Sequence, residues 1–421
     1  MEIAYICHHK ENDMEKISVT EFGPIRHAEM EIKSFCILIG HTSSGKSTMA
    51  KLLDLFNGLD FYGLKEEDGL AGFSMLLKKY GIDFQFKEQT SIVYQNNEYA
   101  WTVTSNGIET NYPYADIVYN WRRIIHNSRA IKELITSTLD RLNGEISSSK
   151  LQELELIEQF PDEKIKRRNY FHFFNALLSE YIYQGSDSIY IPAERILMSI
   201  LSQSIFSFYE RGINLPDCLK TFGNLYSLVK GNSPYNIDFL NLKVKFDEDS
   251  ENGDKIQLEN GDEIDLFQAS SGLQSVIPLL SVFDLALKEK AVSIIEEPEL
   301  NLYTQVQKDL TEYLVKRTKE AKAKLFITTH SPYILSTIQN LLQAGNVAAE
   351  SLEKAEQVAK LVSPDKWIDY NELTCQFFSN DGTSHNILDN EYHTIGINQM
   401  DDVSAELSEI YDSLLDIKYN E

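Results

Sequence analysis

The residues best suited to chemistry form a run of eight with glycine at its first and sixth positions. They are Gly40, His41, Thr42, Ser43, Ser44, Gly45, Lys46 and Ser47. Glycines let backbone N–H groups converge on phosphate oxygens, and the N-terminus of a following helix adds partial positive charge. The pattern predicts that Lys46 binds the β- and γ-phosphates of ATP and that Ser47 offers its hydroxyl to Mg²⁺. Thr48 completes the expected nucleotide contacts.

Two adjacent carboxylates, Glu296 and Glu297, follow a short apolar run at residues 291–295. This run predicts a buried strand, and open α/β sheets bind their ligands at the carboxyl ends of such strands. We expect Glu296 to hold Mg²⁺, directly or through water, and Glu297 to polarise an attacking water as general base. Aspartate is commoner than glutamate at the magnesium position of phosphate-loop enzymes, so the longer side chain favours contact through water.

A histidine stands in a similar place after a second predicted strand. His330 follows the apolar run Leu325–Thr329. From this edge of the sheet its imidazole could hydrogen-bond the γ-phosphate or the attacking water. A lone histidine is more often structural. Here, however, the glycine-rich run at residues 40–47, which we call the phosphate loop, and the carboxylate pair precede it in the expected order. We therefore expect His330 to take part in catalysis as a switch residue.

Hydrophobic periodicity indicates the elements that position these groups. Strand-rich stretches cover residues 16–25 and 28–39, and an apolar helix follows the glycine-rich run. Residues 90–110 predict the paired strands of a β-hairpin, and short strands are expected within 240–268.

Helices and strands alternate from residue 272 onward, which is typical of a parallel α/β sheet. The expected elements are a helix at 272–288, a strand at 291–296, a helix at 301–320, a strand at 324–328 and a helix at 333–343. The fold class predicted from this order is α/β, with a mixed sheet flanked by helices, an antiparallel β subdomain and a helical insertion.

We expect four parts along the chain. Residues 1–112 would form the N-terminal half of the nucleotide-binding unit, and residues 186–345 its C-terminal half. Between them, residues 113–185 combine dense charge with apolar residues at helical spacing, which predicts a helical insertion or arm. Its basic residues fit a solvated helical face better than a nucleic-acid site. Residues 346–421 form an acidic extension without a recognisable motif.

The charge balance limits the kinds of partner. The chain has 421 residues, of which 64 are acidic and 39 basic, for a formal net charge of −25. Such a surface repels phosphate backbones over most of its area, so a basic protein partner fits better than nucleic acid. The sequence shows no signal-peptide pattern and no apolar stretch of the ~18–20 residues that span a bilayer. We expect a cytoplasmic protein without membrane contact.

The cysteines are far apart in sequence, at Cys7, Cys36, Cys218 and Cys375. None forms a C-x-x-C pair, which indicates reduced thiols rather than a disulfide scaffold or a zinc ribbon. Residues 7–9, with the sequence Cys-His-His, could ligate a metal in principle. The sequence has no second ligand pair at a standard spacing, so a metal site there is disfavoured.

Together these motifs resemble those of the ABC/SMC-like AAA ATPases, the branch that includes OLD-family nucleases and RecF/Rad50-type heads. The resemblance covers roughly residues 15–60 and 185–345. It implies an ABC-type ATPase head in which Ser271, Gly272 and Gln274 form a signature at a helix start. In that family the signature of one head reaches the γ-phosphate held by a neighbouring head, so two copies must pair. Serine is also favoured at a helix start simply as a cap.

The carboxylate run at residues 296–300, Glu-Glu-Pro-Glu-Leu, followed by Thr-His-Ser-Pro at 329–332, looks most like the ATPases of bacterial anti-phage defence systems, such as OLD proteins, Septu, retron-associated ATPases and the PARIS ATPase. Residues 190–195 are also similar to a segment of these ATPases. The resemblance implies an oligomeric scaffold or sensor that hydrolyses ATP and controls a separate effector, which we expect to be a nuclease, after a phage protein or nucleic acid triggers it. For the glutamine that couples Mg²⁺ to the insertion, Gln85, Gln89 and Gln95 all remain candidates.

Other functions fit less well. A DNA-repair or chromosome-maintenance ATPase of the RecF/Rad50-like type would clamp DNA, but the insertion is too short for a long coiled-coil arm and the net charge is unfavourable. A transporter ATPase subunit matches the carboxylate pattern poorly. OLD nucleases continue into a nuclease domain, whereas the residues after the helix that follows His330 are fewer than a typical domain of ~100 residues. A separate effector is therefore expected.

Overall fold

The structure is a computed structural model. It describes residues 15–97, 99–124, 128–142, 146–182, 187–201, 215–229, 235–246, 253–258, 260–396 and 409–413. The Cys-His-His segment at 7–9 lies outside the described residues. Within them, no helix combines the length and apolar composition needed to cross a bilayer.

The strands and helices are numbered in chain order. The strands are β1 (Glu15–Phe22), β2 (Ile25–Glu31), β3 (Phe35–Gly40), β4 (Ser91–Asn96), β5 (Tyr99–Thr104), β6 (Gly107–Thr110), β7 (Ser188–Ile191), β8 (Tyr235–Ile237), β9 (Leu242–Lys245), β10 (Lys255–Gln257), β11 (Glu263–Asp265), β12 (Val292–Glu296), β13 (Leu325–Thr329), β14 (Leu373–Phe378), β15 (Ser384–Asn386), β16 (Leu388–Asp389) and β17 (Thr394–Ile395). The α-helices are α1 (Lys46–Phe56), α2 (Leu59–Tyr62), α3 (Gly69–Lys79), α4 (Ala115–Ile124), α5 (Ser128–Leu142), α6 (Ser148–Glu158), α7 (Glu163–Leu177), α8 (Ile196–Leu201), α9 (Asp217–Val229), α10 (Ser271–Lys288), α11 (Thr304–Ala321), α12 (Pro332–Glu350) and α13 (Leu352–Val358).

A six-stranded mixed sheet lies at the centre, in the order β15-β14-β3-β13-β12-β7. Five strands run parallel, and β15 is antiparallel to β14. Side chains of β3 show how both faces are covered, because Ile37 and Ile39 pack with α10, α11 and α12 whereas Cys36 and Leu38 pack with α1. Burial on both faces explains the nearly unbroken apolar sequence of the strand. The predicted α/β class with a mixed sheet is confirmed.

The register of the parallel strands brings their carboxyl ends to one edge. β3 ends at Gly40, β12 at Glu296 and β13 at Thr329. Ile39 lies opposite Thr329, and Glu296 lies opposite Thr328. The loops that follow these three strands therefore emerge side by side, which is where ligands bind to open α/β sheets.

An antiparallel sheet, in the order β2-β1-β4-β5-β6, packs beside α1. The paired strands expected at 90–110 occur in it as β4, β5 and β6. Aromatic rings fill the space beneath it: Phe56 stacks on Tyr94 with ring centroids 4.7 Å apart, and Phe61 lies 5.2 Å from Trp101. This packing fixes the helix that starts at the phosphate loop. A smaller antiparallel sheet joins β8 to β11.

Helices α4 to α7 lie within the stretch where a helical insertion is expected. Trp121 of α4 packs on Phe174 of α7, with ring centroids 4.4 Å apart, and Ile131 of α5 is fully buried in the same cluster. Arg141 donates two hydrogen bonds of 2.7 Å to the Asp116 carboxylate, which ties α5 to α4. These helices therefore form a packed unit with its own apolar contacts.

The stretch 346–421 differs from the expected extension, because it supplies β14 to the central sheet. β14 pairs in parallel with β3 along its whole length, and all six of its residues are buried. The expected boundary at residue 345 also falls inside α12. Gly345 lies there because the backbone of Ile368 approaches so closely that a Cβ would come within 2.2 Å of its carbonyl oxygen. The central sheet is thus completed by residues after α12.

Candidate functional site

The turn between β3 and α1 has a backbone that requires glycine at two positions. Gly40 has a φ of 143°, and a Cβ there would lie 2.1 Å from the carbonyl oxygen of Phe378. Gly45 has a φ of 107°, and a Cβ there would lie 2.4 Å from the side chain of Ile25. Residues that carry a side chain cannot adopt these backbone conformations without strain. The two glycines of the sequence pattern therefore shape a tight turn at the N-terminus of a helix.

Lys46 lies inside this turn and is 4% exposed. Its Nζ donates to the carbonyl oxygens of Gly40 at 3.0 Å and His41 at 2.6 Å. Burial lowers the pKa of Lys46 to about 8, although the nearby carboxylates of Glu297 and Glu299 act in the opposite direction. The ammonium group is therefore a poorly hydrated cation, which is favourable for binding an anion.

The other residues of the predicted loop divide into two groups. Thr42, Ser43 and Ser47 are exposed and can contact a ligand. In contrast, Ser44 is buried and its hydroxyl donates to the His41 carbonyl at 2.7 Å, which holds the turn closed. Two further expected contact residues are not fully exposed either. They are Thr48, which is buried on α1, and His41, whose ring packs edge-on against Phe377 at 5.7 Å.

Glu297 and His330 are brought together by the ends of β12 and β13. The Nε2 of His330 lies 3.4 Å from Oε1 of Glu297. Interaction with His330, and more weakly with Lys46 and Arg195, lowers the pKa of the Glu297 carboxyl against the opposing effect of burial. The carboxylate form is therefore favoured at neutral pH, as a general base requires.

The backbone of Glu297 is unusual, because its φ is 42°. This left-handed conformation is rare for a residue with a side chain and occurs where surrounding bonds hold it. Its N–H donates to the Thr328 carbonyl at 2.8 Å. The structure thus aims a carboxylate out of the end of β12 by means of a strained turn.

Glu296 is the last residue of β12 and is buried. Among the described residues its Oε1 has no hydrogen-bond partner. Burial raises the pKa of Tyr190 well above its ordinary value, and the negative charge of the nearby Glu296 raises it further. A buried carboxylate oxygen without a donor is costly unless a cation or water satisfies it. Glu296 therefore fits a role in holding Mg²⁺.

Glu299 is a further residue at this edge of the sheet, and its contacts were not predicted from the sequence. Its Oε1 accepts hydrogen bonds of 2.7 Å from the Thr329 hydroxyl and from the His330 backbone N–H. Burial raises the pKa of this carboxyl. Glu299, which lies two residues after the predicted base Glu297, thus fixes the backbone at His330. The Glu-Glu-Pro-Glu run contained it, but only the approach of β13 reveals the contact.

Gln307 and Arg195 are two further positions that the sequence did not identify as site residues. Gln307 on α11 accepts a hydrogen bond of 2.6 Å from Ser331, whose hydroxyl also caps α12. Arg195 is fully buried and donates to the backbone carbonyls of Glu296 at 2.7 Å and Glu297 at 2.8 Å. Both side chains hold the loops that carry the catalytic candidates, and both act across long sequence separations.

The signature residues differ in accessibility. Ser271 is exposed at the start of α10, whereas Ser270 is the residue that caps the helix. Gly272 is buried, and a Cβ there would lie 2.8 Å from the Asn301 carbonyl oxygen. The Gln274 amide nitrogen donates to two backbone carbonyls of the preceding turn, so this side chain holds its own helix start. Of the three, Ser271 is the one presented outward.

The three glutamines considered for coupling Mg²⁺ to the insertion lie between the end of α3 and the end of β4. Gln85 and Gln89 are exposed in the connecting loop. Gln95 lies on β4, and its amide nitrogen donates to the Asn97 carbonyl at 3.1 Å. The described contacts do not single out one of them.

A family model described as AAA ATPase domain matches residues 14–335. This is most of the chain, which belongs to that family. The chain is similar to the SMC head domain from Thermotoga maritima, with 10% identity over 77% of this chain and 91% of that chain and a TM-score of 0.32.

A second similar structure is an SMC head domain derived from Pyrococcus furiosus, with an extended coiled coil and bound to the C-terminal domain of ScpA. It shares 12% identity over 95% of this chain and 100% of that chain, with a TM-score of 0.32. The third is the recombination mediator protein RecF with ATPrS, at 15% identity over 89% of this chain and 98% of that chain and a TM-score of 0.28. No curated protein matches the chain.

Proposed function

We propose that this chain binds ATP with Mg²⁺ and hydrolyses it between two paired copies. The observation that carries the proposal is the convergence of three groups at one edge of the central sheet. Lys46 follows β3, Glu297 follows β12 and His330 follows β13, and these strands are neighbours. A phosphate-binding cation thus lies near a carboxylate and an imidazole that can act on water.

Each residue has a role that follows from its contacts. The turn from Gly40 to Lys46 would bind the phosphates through backbone N–H groups and the ammonium group. Glu297, whose carboxylate form is favoured, would accept a proton from the attacking water. His330, held by Glu299 at its backbone N–H, would orient that water or contact the terminal phosphate. Together these groups supply general-base catalysis and charge stabilisation.

The donor set fits a magnesium ion. The buried Oε1 of Glu296 lacks a donor among the described residues, and the hydroxyl of Ser47 is exposed at the start of α1. Carboxylate and hydroxyl oxygens are the ligand types that Mg²⁺ prefers, with phosphates and waters completing its shell. When bound, the ion would neutralise phosphate charge and leave the proton transfer to Glu297.

Pairing of two copies is supported by the exposure of Ser271. Ser271 is exposed at the first position of α10, whereas its neighbour Gly272 is buried. A helix N-terminus attracts anions through its free N–H groups and its dipole. In the proposed assembly this helix start closes over the nucleotide that the partner copy binds.

The biological role that we propose is control of a separate effector in anti-phage defence. The net charge of −25 favours a basic protein partner, and the motif resemblance described above supports a defence ATPase. The effector is expected to be a nuclease. Pull-down of the native protein tests this role, because a copurifying nuclease supports it and stoichiometric DNA without such a partner contradicts it.

The alternative function, a DNA-clamping ATPase, is favoured by one local feature. Lys164, Arg167 and Arg168 are exposed on the first turns of α7, at the same end as the exposed Ile165. Such a patch could contact phosphates despite the acidic remainder of the surface. DNA binding that falls with rising salt, and that is lost on changing these three residues to glutamine, would favour this alternative.

The ATPase itself is tested by phosphate release. Lys46→Ala should weaken ATP binding by at least about 100-fold, because two charge-assisted contacts to phosphate are lost. Glu297→Gln should bind ATP normally and release phosphate at least about 100-fold more slowly, because an amide cannot accept the proton. Unchanged nucleotide affinity in Lys46→Ala, or normal turnover in Glu297→Gln, would refute the assignment. Lys78→Ala, at the exposed end of α3, serves as the control.

A further inference from the structure

The buried Arg195 joins two elements of the site that are far apart in sequence. Its Nε donates to the Ser275 carbonyl of α10 at 3.3 Å. Its Nη1 donates to the carbonyls of Pro192 at 3.1 Å and Glu296 at 2.7 Å, and its Nη2 donates to that of Glu297 at 2.8 Å. A planar guanidinium offers its donors in a fixed fork, so these backbones cannot shift independently.

The helix α10 lacks one internal hydrogen-bond donor because of a proline. Pro278 lies within the helix and has no N–H for the Gln274 carbonyl, four residues earlier. The Ser199 hydroxyl supplies that hydrogen bond at 2.7 Å. The next carbonyl along the helix, that of Ser275, is the one that Arg195 contacts. The segment 192–199 thus holds the start of α10 through two consecutive carbonyls.

Both donors are removed from water. Arg195 is 0% exposed and Ser199 is 2% exposed. Burial lowers the pKa of Arg195 to about 10, so the guanidinium stays charged at neutral pH. A buried cation is retained where its hydrogen bonds are well formed, and bonds from a charged donor are stronger than neutral ones. The arrangement is therefore stiff.

The contact at Glu297 is of particular use, because this residue has a positive φ. Its N–H is held by the Thr328 carbonyl and its own carbonyl is held by Arg195. The strained turn is therefore fixed on both sides. The direction of the Glu297 side chain toward His330 depends on this turn.

We propose that Arg195 is a positioning residue that serves two nucleotide sites at once. The inference rests on the paired copies proposed above. Through Glu296 and Glu297 it orders the carboxylates that act on the nucleotide bound by its own chain. Through Ser275 it orders the start of α10, and hence Ser271, which acts on the nucleotide bound by the partner. Ser199 serves α10 alone.

Mixed pairs of full-length chains separate these two effects. One chain, the signature donor, carries Lys46→Ala and keeps Ser271. The other, the base donor, carries Ser271→Ala and keeps Lys46 and Glu297. A pair of the two has one complete site, composed of the phosphate loop and carboxylates of the base donor and the Ser271 of the signature donor. The baseline is the rate at which this mixture releases phosphate, less the rate measured for either chain alone.

Arg195→Lys is then added to one chain at a time. Lysine keeps the charge, but one ammonium group cannot span the carbonyls of Ser275 and Glu297. We expect phosphate release at saturating ATP to fall about 10- to 100-fold whichever chain carries the change, as for other supporting residues of a reactive centre. The Kd of the base donor for ATP, measured alone, should stay within about twofold, because the phosphate loop is untouched.

Ser199→Ala gives the second, milder variant. It should lower phosphate release about 2- to 10-fold, the size of one hydrogen bond, when the signature donor carries it, and should have no effect in the base donor. The matched control is Ser281→Ala, because Ser281 is buried on α10 but, within the described part of the chain, its hydroxyl bonds only to the carbonyls of Ile277 and Pro278 in the same helix. It should leave the rate unchanged in both chains.

Two outcomes would overturn the inference. The first is a fall in rate confined to one of the two chains for Arg195→Lys, which would make Arg195 a support of the carboxylates alone or of α10 alone. The second is an unchanged rate for Ser199→Ala in the signature donor, which decides the matter where Arg195→Lys does not fold. Failure of the unmodified mixture to exceed either chain alone would refute the paired copies instead, so the two failures are distinguishable.

Discussion

Single residues at the proposed site are held by the backbone more than by one another. Lys46 bonds to carbonyls of its own turn, and Glu297 is aimed by a turn with positive φ. Glu299 fixes His330 through the backbone N–H. The groups proposed to react are therefore held in place before a substrate arrives, which would limit the reorganisation that the proposed catalysis requires.

The buried ammonium group predicts a pH dependence for nucleotide binding. Lys46 has a pKa of about 8 in the free protein, and bound phosphates must raise it because they favour the charged form. Below pH 8 the group is already protonated and affinity should be constant. Above pH 8 binding must take up a proton, so the Kd for ATP should rise by about tenfold per pH unit.

Calorimetric titration of ATP into the protein between pH 7 and pH 9.5 checks this sign and size. Lys46→Arg is the control, because a guanidinium stays protonated throughout this range and should remove the dependence. A Kd for the unmodified protein that stays constant up to pH 9.5 would contradict the lowered pKa.

At the scale of elements, close backbone approach sets which residues are tolerated. Gly345 lies inside α12, where alanine would normally add about 1 kcal/mol of helix stability. Here its Cβ would lie 2.2 Å from the Ile368 carbonyl oxygen, which is backbone and cannot rotate away. We expect Gly345→Ala to lower the free energy of unfolding by about 1–3 kcal/mol instead.

Urea unfolding of Gly345→Ala measures this change against a second helical glycine. Gly223 lies inside α9, and a Cβ there would meet the sulfur of Met198 at 2.9 Å, a flexible side chain that can move. Gly223→Ala should therefore change stability by less than about 1 kcal/mol in either direction. An equal effect of the two substitutions would show that the approach of residue 368 does not constrain α12.

The sequence predicted those elements that have a clear motif or period. The turn from Gly40 to Lys46 and the strands before Glu296 and His330 were expected, and the structure places their ends side by side. Arg195 and Glu299 were not assigned to the site, because their roles depend on backbones that approach only in the folded chain. β14 was missed since a strand buried on both faces has no alternation to mark it.

For the whole molecule, the order of strands requires residues that come late in the chain. β14 lies between β3 and β15, and Cys375 and Leu373 are fully buried in the same core as α12. Removing residues 351–421 would expose one side of β3, the strand that ends at the phosphate loop. We expect this shortened chain to lose cooperative unfolding, because the central sheet loses β14, a strand that is buried on both faces.

Thermal unfolding followed by circular dichroism compares two shortened chains. One lacks residues 351–421, and the other lacks residues 397–421 and retains β14 to β17. The second should keep a single transition close to that of the full chain. A cooperative transition in the first would show that β14 is dispensable to the core.

The central claim is that ATP brings two copies together around shared sites. Sedimentation velocity of the Glu297→Gln variant with ATP and Mg²⁺ tests it most directly, because this variant should retain the nucleotide and accumulate the pair. We predict monomers without ATP, dimers with ATP, and monomers again when Ser271→Arg is added. A sedimentation coefficient that ATP does not change, or a dimer that Ser271→Arg leaves intact, would contradict the account.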